Sequence, residues 1–152
     1  MNAVPQIFDE ARRRARHRRA FARQQHSDAA RWLLEAMAED VLERLGFLRW
    51  EGGRALISGL GGDTVATTLG QPASDPVDYA RPIHGGPYDL IVSLGELDTV
   101  NDLPGALILL RAALAPGGLL LSDLKLDVPG TEPVPLPPGA TEGRYFIYRA
   151  QR

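Results

Sequence analysis

Residues 55–64, Ala-Leu-Ile-Ser-Gly-Leu-Gly-Gly-Asp-Thr, pass from an apolar run directly into a cluster of glycines. This order is typical of a buried strand and of the tight turn that leads from it into a helix. Such a turn lets the backbone approach a ligand, and the helix that follows offers free amide groups. Gly59 and Gly61 have the spacing G-x-G, but Asp63 stands where a third glycine is expected. The glycine pattern alone therefore favours a turn that binds nothing over a cofactor loop.

The rest of the chain alternates between strand and helix patterns. Residues 88–94, Tyr-Asp-Leu-Ile-Val-Ser-Leu, form the clearest strand, and residues 119–124 form a further one. Between them, Asn101 or Asp102 is expected to cap a helix that ends at residues 115–118, Ala-Pro-Gly-Gly. Alternating strands and helices predict βαβ units with parallel strands and right-handed crossovers. The proline-rich stretches are predicted loops, at 70–87 and 127–143, and a last strand or strand-like edge is expected at 144–149.

Two helices are predicted before the first strand. Residues 8–25 are rich in Arg and Ala and contain no Gly or Pro, which favours a helix. Ser27 is a plausible N-cap for a second helix, whose apolar residues repeat at helical spacing up to Gly46. The fold class predicted from the residues is therefore α/β, with an N-terminal helical extension.

Charge is distributed unevenly along the 152 residues, whose net charge is −2. Residues 1–23 contain seven arginines against Asp9 and Glu10, which gives +5 and leaves −7 for the remaining residues. The chain has no cysteine, so a disulfide framework and a thiolate nucleophile are excluded. It also has no apolar run near the roughly 18 residues of a membrane helix, and its N-terminus lacks the apolar core of a secretory signal. A cytoplasmic location without membrane attachment is expected.

The arginine-rich helix, Arg12 to Arg23, has three interpretations. It could bind nucleic acid or another polyanion through phosphate contacts, dock on an acidic protein such as a carrier or assembly client, or fold over the acidic remainder of its own chain. Phe8, just before this helix, and Phe21, within it, are the only aromatic residues of this region, which argues against stacking on single-stranded bases. The composition therefore favours docking on protein, including its own body, over nucleic acid.

Residues with catalytic potential are few. The three histidines are scattered and form no H-E-x-x-H pattern, and no G-x-S-x-G elbow is present, so no metal site and no hydrolase is predicted. Glu96 and Asp98 follow the clearest strand, where they are either solvated loop carboxylates or a general base and a group that orients a substrate amine. No catalytic residue is assigned.

Several longer stretches carry a resemblance to a known family. Residues 100–107, Val-Asn-Asp-Leu-Pro-Gly-Ala-Leu, residues 114–118, Leu-Ala-Pro-Gly-Gly, and an N-terminal arginine-rich leader followed by a helix occur here in order. With these stretches the chain resembles class I S-adenosylmethionine-dependent methyltransferases. It is most similar to the branch of malonyl-carrier-protein methyltransferases and the mitochondrial complex I assembly methyltransferase.

The resemblance implies a shortened Rossmann-like sheet in residues 51–152, preceded by an arginine-rich helical extension in residues 1–50. It also implies a pocket for S-adenosylmethionine. In that pocket Gly59 and Gly61 would contact the methionine and ribose parts, Asp78 would contact the adenine with Tyr79 beside it, and Leu94 and Gly95 would line the wall.

The chain departs from this family at the residues that hold the cofactor. Ile57 stands where the family carries the acidic residue that contacts the methionine amino group. The stretch between Gly62 and Pro87 is too short for the expected elements, so at least one strand–helix pair must be missing. The lost strand supplies the carboxylate for the ribose hydroxyls, for which Asp75 is a possible substitute. An unpaired sheet edge left by this loss could support a homodimer.

Two functions follow as expectations. The first is a methyltransferase-like protein, a transferase by descent, whose cofactor site is degenerate as in a pseudoenzyme. The alternative is a non-catalytic binding or assembly protein that uses the arginine-rich helix and the sheet surface.

Overall fold

The computed structural model describes residues 3–26, 28, 30–124, 126–135 and 146–152. The helices in this part of the chain are α1 (Glu10–Gln24), α2 (Trp32–Phe47), α3 (Gly62–Leu69) and α4 (Leu103–Ala113), with a short 3-10 turn at Leu97–Thr99. The strands are β1 (Ala55–Gly59), β2 (Tyr88–Leu94), β3 (Leu114–Ser122), β4 (Thr131–Pro133) and β5 (Phe146–Ala150). None of the helices in these ranges is long and apolar enough to cross a membrane.

The five strands form one mixed sheet in the order β1-β2-β3-β5-β4. β1, β2 and β3 are parallel, whereas β5 runs antiparallel to both β3 and β4. This arrangement, with helices on both faces, confirms the predicted shortened Rossmann-like α/β fold. The last strand was expected at residues 144–149, partly outside the described residues. This strand, β5, lies inside the sheet and not at its edge. The edge strand is β4, which lies within a stretch that was predicted to be a loop.

Both faces of the sheet are covered by helices, which explains the continuous apolar runs of the central strands. Side chains alternate between the faces along each strand. One face, which includes Ile57, Val92 and Leu121, packs with the buried residues of α2 and α3. The opposite face, which includes Ile91 and Leu120, packs with those of α4. The sheet is therefore the middle layer of three.

The two N-terminal helices differ from their predicted limits. α1 begins at Glu10, where the side chain of Asp9 accepts a hydrogen bond from the Arg12 amide. α2 begins at Trp32 and not after Ser27, which lies outside the described residues. Ala30 is exposed, so an earlier start of α2 would bury no apolar surface there. The middle and C-terminal turns of α2 do pack on the sheet, through Ala38, Val41 and Leu45.

Residues 71–87, all of them described, contain neither a helix nor a strand. This confirms that a strand–helix pair is missing between α3 and β2, and it leaves β1 as an outer edge of the sheet. The chain partly covers that edge itself: the Ser74 amide donates to the Ile57 carbonyl oxygen at 3.1 Å. The Gln71 side chain likewise donates to the carbonyl oxygen of Gly53 at 3.1 Å.

Candidate functional site

The ends of β1 and β2 lie side by side at the carboxyl edge of the parallel strands, where ligands bind in open α/β sheets. Gly59 is the register partner of Leu94. Gly59 has φ +98°, and a Cβ atom at this position would overlap the carbonyl oxygen of Leu94. Only glycine fits here. The predicted neighbours Gly59, Leu94 and Gly95 are therefore brought together.

Gly61 lies in a different environment from Gly59. It precedes α3 in the left-handed conformation, with φ +84°. A Cβ atom there would lie 3.4 Å from the backbone oxygen of Leu34 and 3.7 Å from its Cβ. The space that this glycine leaves open is thus next to α2, away from the contact between Gly59 and Leu94.

A row of serines crosses the same end of the sheet. Ser58, Ser93 and Ser122 are register partners on the three parallel strands, and each is at most 2% exposed. Buried hydroxyl groups need hydrogen-bond partners. The Ser122 hydroxyl accepts from the Leu124 amide at 3.1 Å. Ser58 and Ser93 instead belong to a cluster built around a buried carboxyl group.

That carboxyl group belongs to Glu96, which is 2% exposed. Its Oε2 atom accepts hydrogen bonds from the Ser58 hydroxyl at 2.5 Å and from the Tyr79 hydroxyl at 3.1 Å. The Tyr79 oxygen also lies 3.3 Å from the Ser93 hydroxyl oxygen. The cluster joins the ends of β1 and β2 to the loop at residues 77–79.

Burial has the largest effect on the pKa values of the ionisable groups in this cluster. Burial raises the pKa of Glu96, although hydrogen bonds from Ser58 and Tyr79 and the charge of Arg13 act in the opposite direction. Burial, followed by the nearby Glu96, raises the pKa of Tyr79 far above its usual value, so its hydroxyl stays protonated and donates. The interpretation of Glu96 as a solvated loop carboxylate is therefore wrong.

Helix α1 lies across this end of the molecule. The Arg13 side chain donates to the Thr99 hydroxyl at 2.9 Å and to the backbone oxygen of Glu96 at 3.1 Å. The Asn101 side chain binds the arm before α1: it accepts from the Ile7 and Phe8 amides at 2.9 and 2.8 Å, and it donates to the Phe8 carbonyl at 2.9 Å. Of the two predicted caps of α4, Asp102 is the one observed, accepting from the Gly105 amide at 3.0 Å.

Little space remains between α1 and the ends of the strands. His17 and Phe21 of α1 close a cavity of about 30 Å³ whose opposite wall includes Gly59, Gly95 and Glu96. Pockets for small molecules usually have volumes of about 300–1,000 Å³. Larger cavities flank α1, with volumes of about 250, 460 and 540 Å³, and Arg13 lies in the wall of each.

Asp78 lines two of these flanking cavities and Tyr79 lines one of them, and the two residues differ in exposure. Asp78 is exposed, accepts a hydrogen bond from the Ala80 amide at 3.0 Å and lies 3.5 Å from the Arg81 guanidinium. Tyr79 is buried, and its hydroxyl is already bound within the Glu96 cluster. Asp75, the possible substitute for the ribose carboxylate, is exposed in the segment beside β1.

Asp123 was not among the predicted site residues, yet it lies at the same end of the sheet. Its Oδ2 atom accepts from the Gly95 amide at 3.0 Å. Burial raises the pKa of Asp123, which outweighs the effect of that hydrogen bond. Within the described part of the chain, its Oδ1 atom is buried without a hydrogen-bond partner. Its position near the carboxyl end of the strand predicted at residues 119–124 was the available signal.

Comparison with known proteins bears on the second half of this fold. Residues 88–150 match the family model described as S-adenosyl-L-methionine methyltransferase. The match begins at β2 and ends at β5, so it covers the helix–strand unit that carries the Val-Asn-Asp-Leu-Pro-Gly stretch and the antiparallel strand. It supports the methyltransferase family named from the sequence, for less than half of the chain. No significant match to a curated protein or to a solved structure accompanies it.

The cofactor of this methyltransferase family does not fit the closed arrangement of the residues. Ile57 is 1% exposed and packs under Gly62, with 3.5 Å between its Cγ2 atom and a Cβ built at that glycine. No carboxylate can take its place without entering the core. The buried carboxyl group of Glu96 already accepts from the Ser58 and Tyr79 hydroxyls. The cavity between α1 and the strand ends is far smaller than a nucleoside requires.

Proposed function

We propose that the chain is a methyltransferase-like protein of the cytoplasm whose cofactor site is degenerate. Its relationship to the malonyl-carrier-protein and complex I assembly branch rests on the Val-Asn-Asp-Leu-Pro-Gly stretch and the arginine-rich leader. The observation that carries degeneracy is the burial of Ile57 in the apolar core. A side chain in that environment offers nothing to an ammonium group, and the sheet ends at β1, where a further strand would bring the carboxylate for the ribose.

The missing hydrogen bonds to the cofactor correspond to a lower affinity for S-adenosylmethionine. Each missing charge-assisted hydrogen bond removes about 1.5–3 kcal/mol, so two of them remove roughly 3–6 kcal/mol. Because about 1.4 kcal/mol corresponds to a tenfold change, the dissociation constant rises by about two to four powers of ten. A site that would otherwise bind at micromolar concentration becomes a site of roughly 100 µM or weaker.

Calorimetric titration of the whole chain with S-adenosylhomocysteine and with adenosine tests this proposal. The two ligands share the nucleoside, and only the first carries the amino acid part with its ammonium group. We expect dissociation constants that agree within a few-fold, or no binding of either ligand. A low-micromolar constant for S-adenosylhomocysteine, well below that for adenosine, would show that the amino acid part is recognised and that the site is intact.

The second candidate is a non-catalytic binding or assembly protein. It is favoured by the outer surface of α1, where six arginines are exposed: Arg12, Arg14, Arg16, Arg18, Arg19 and Arg23. Arg13, which belongs to the same predicted docking helix, is turned inward onto Thr99. Dense positive charge next to an acidic body fits an acidic protein surface as partner. A contact between two copies of the chain is a further possibility for this class.

Binding of an aspartate- and glutamate-rich peptide, compared with a neutral peptide of equal length, tests the second candidate. Charge reversal of exposed arginines, in the variant Arg16→Glu/Arg19→Glu, should abolish the difference between the two peptides. Arg149→Glu/Arg152→Glu is the matched control, because it reverses two exposed arginines outside α1. If the native chain does not distinguish the peptides at moderate salt, the acidic partner is excluded.

A further inference from the structure

We propose that α1 is a detachable plug: it occupies the end of the sheet at which a cofactor would enter, and it can leave without unfolding the sheet. Only one part of this inference rests on the proposed function, namely the identity of the ligand that the opened cleft would receive. Detachment itself follows from how α1 is held.

The packing of α1 is unlike that of the other helices. No residue of α1 is buried, although the structure describes all of them. The half-buried residues of α1 are Arg13, Ala15, His17, Ala20 and Gln24. Three of these five side chains are polar and the other two are the small methyl groups of alanine, so little apolar surface is removed from water when α1 docks. By contrast, α2 has residues within the main apolar core and cannot leave without exposing it.

Polar contacts hold α1 instead. They are the two hydrogen bonds of Arg13 and the three that Asn101 makes with the arm at residues 7 and 8. Each such bond typically changes an equilibrium by about two- to tenfold. In the described part of the chain, the Oε1 atom of Gln24 is buried without a hydrogen-bond partner, which weakens the docked state. An element that is held by only a few polar contacts of this kind can open locally while the rest of the molecule stays folded.

Opening would change the shape of the end of the sheet at which a cofactor would enter. The cavities of about 250, 460 and 540 Å³ lie around α1 and share Arg13 as a wall. The smallest cavity, next to Gly59 and Gly95, is closed by His17 and Phe21. Removal of α1 takes away the common wall, so these spaces join into one cleft that reaches both glycines. The plug thus controls access to the strand ends.

Undocking has a direct signature. An isolated helix becomes marginal in water at lengths below about 12–15 residues, and α1, with 15 residues, lies at the upper limit of this range. Once detached, α1 therefore loses much of its helical structure, and its amide hydrogens exchange with solvent. Amides of the central strand β2 exchange only when the whole molecule opens. The ratio of the two protection factors measures detachment.

Hydrogen exchange of the whole chain, without any cofactor, tests the proposal with three variants. Arg13→Ala removes the anchor on α1, and Thr99→Val removes one acceptor of that anchor without changing α1. Arg19→Ala is the matched control, because Arg19 is an exposed arginine of the same helix with no hydrogen bond among the described residues. We expect native α1 to be at least about tenfold less protected than β2. Its protection should fall a further two- to tenfold for each lost hydrogen bond in the first two variants, with β2 unchanged.

Two results would overturn the proposal. One is protection of α1 equal to that of β2 in the native chain, which would mean that α1 leaves only on global unfolding. The other is an equal loss of protection in α1 and β2 in Arg13→Ala, with the same loss in Arg19→Ala. Since no cofactor is present in this experiment, its failure is distinct from a failure of the titration with S-adenosylhomocysteine.

Discussion

Replacement of Glu96 by alanine is the perturbation that best separates a structural role of the buried cluster from a solvated loop residue. Glu96, which is 2% exposed, accepts from the Ser58 hydroxyl and the Tyr79 hydroxyl. Alanine leaves both donors without this acceptor at a buried end of the sheet. It also removes the connection between the loop at residues 77–79 and the ends of β1 and β2.

The size of the effect follows from those donors. A buried group left without its partner costs about 1–3 kcal/mol. Tyr79 and Ser93 have oxygens 3.3 Å apart, so the Tyr79 hydroxyl can still donate to Ser93. The Ser58 hydroxyl is then left unpaired, which corresponds to a loss of about 1–3 kcal/mol, a considerable part of the stability of a domain of this size.

Urea unfolding at neutral pH, followed by circular dichroism, measures this loss. Glu96→Gln is the matched variant, because its amide retains one carbonyl acceptor and its amino group can donate to the hydroxyl oxygens. We expect a loss below about 2 kcal/mol for Glu96→Gln, less than for Glu96→Ala. A loss below about 0.5 kcal/mol for Glu96→Ala, the range of an ordinary surface substitution, would refute the reasoning.

Further predictions concern pH, the strand ends and the N-terminal arm. The folded state binds the proton of Glu96 more tightly than the unfolded state, so the free energy of unfolding falls as pH rises from the ordinary carboxyl pKa through the raised one. Glu96→Gln should reduce the slope of the free energy of unfolding against pH, measured by urea titrations between about pH 4 and pH 8. The part of the slope due to Asp123, whose pKa is also raised, should remain. An unchanged slope would contradict the assignment to Glu96. Gly59→Ala should destabilise the fold by more than the roughly 1–2 kcal/mol of a left-handed alanine, because its Cβ also overlaps a backbone oxygen. Gly70→Ala, at φ +65° in open space, is the control for conformation alone, and equal melting temperatures for the two variants would count against the overlap. Asn101→Ala should increase amide exchange in the arm before α1 by about tenfold while the caps of α4 remain, and unchanged exchange would show that the arm is held elsewhere.

Much of the fold could be predicted from the sequence, because strong local patterns agree with their surroundings. The apolar run at residues 88–94 and the Asp102–Pro104 helix start need no distant partner to be recognised. The chain length between Gly62 and Pro87 was enough to predict the missing strand–helix pair. The short strand β4 was missed, since Thr131–Pro133 becomes a strand only through pairing with β5. Such pairing overrides a proline-rich composition at a sheet edge.

The site was predictable only in part, because its residues act through contacts between distant segments. The meeting of Gly59 with Leu94 follows from parallel strands, so it could be predicted. The burial of Glu96 could not, since it depends on hydroxyl groups from β1 and from the loop before β2. A signal was nevertheless present: Ser58, Ser93 and Ser122 each end an apolar run, and parallel register brings them into one row. The inward turn of Arg13 had no signal that set it apart from its neighbours.

The outer margins of the sheet have a consequence for self-association. On one side, backbone and side-chain groups of residues 71 and 74 occupy carbonyl oxygens at the β1 margin. On the other side, β4 is three residues long and ends in Pro133, which has no amide to offer. In the part of the chain that the structure describes, neither margin presents a long row of free peptide groups, from which edge-to-edge aggregation starts. A sheet that ends in two such short margins offers little template for fibre-like growth.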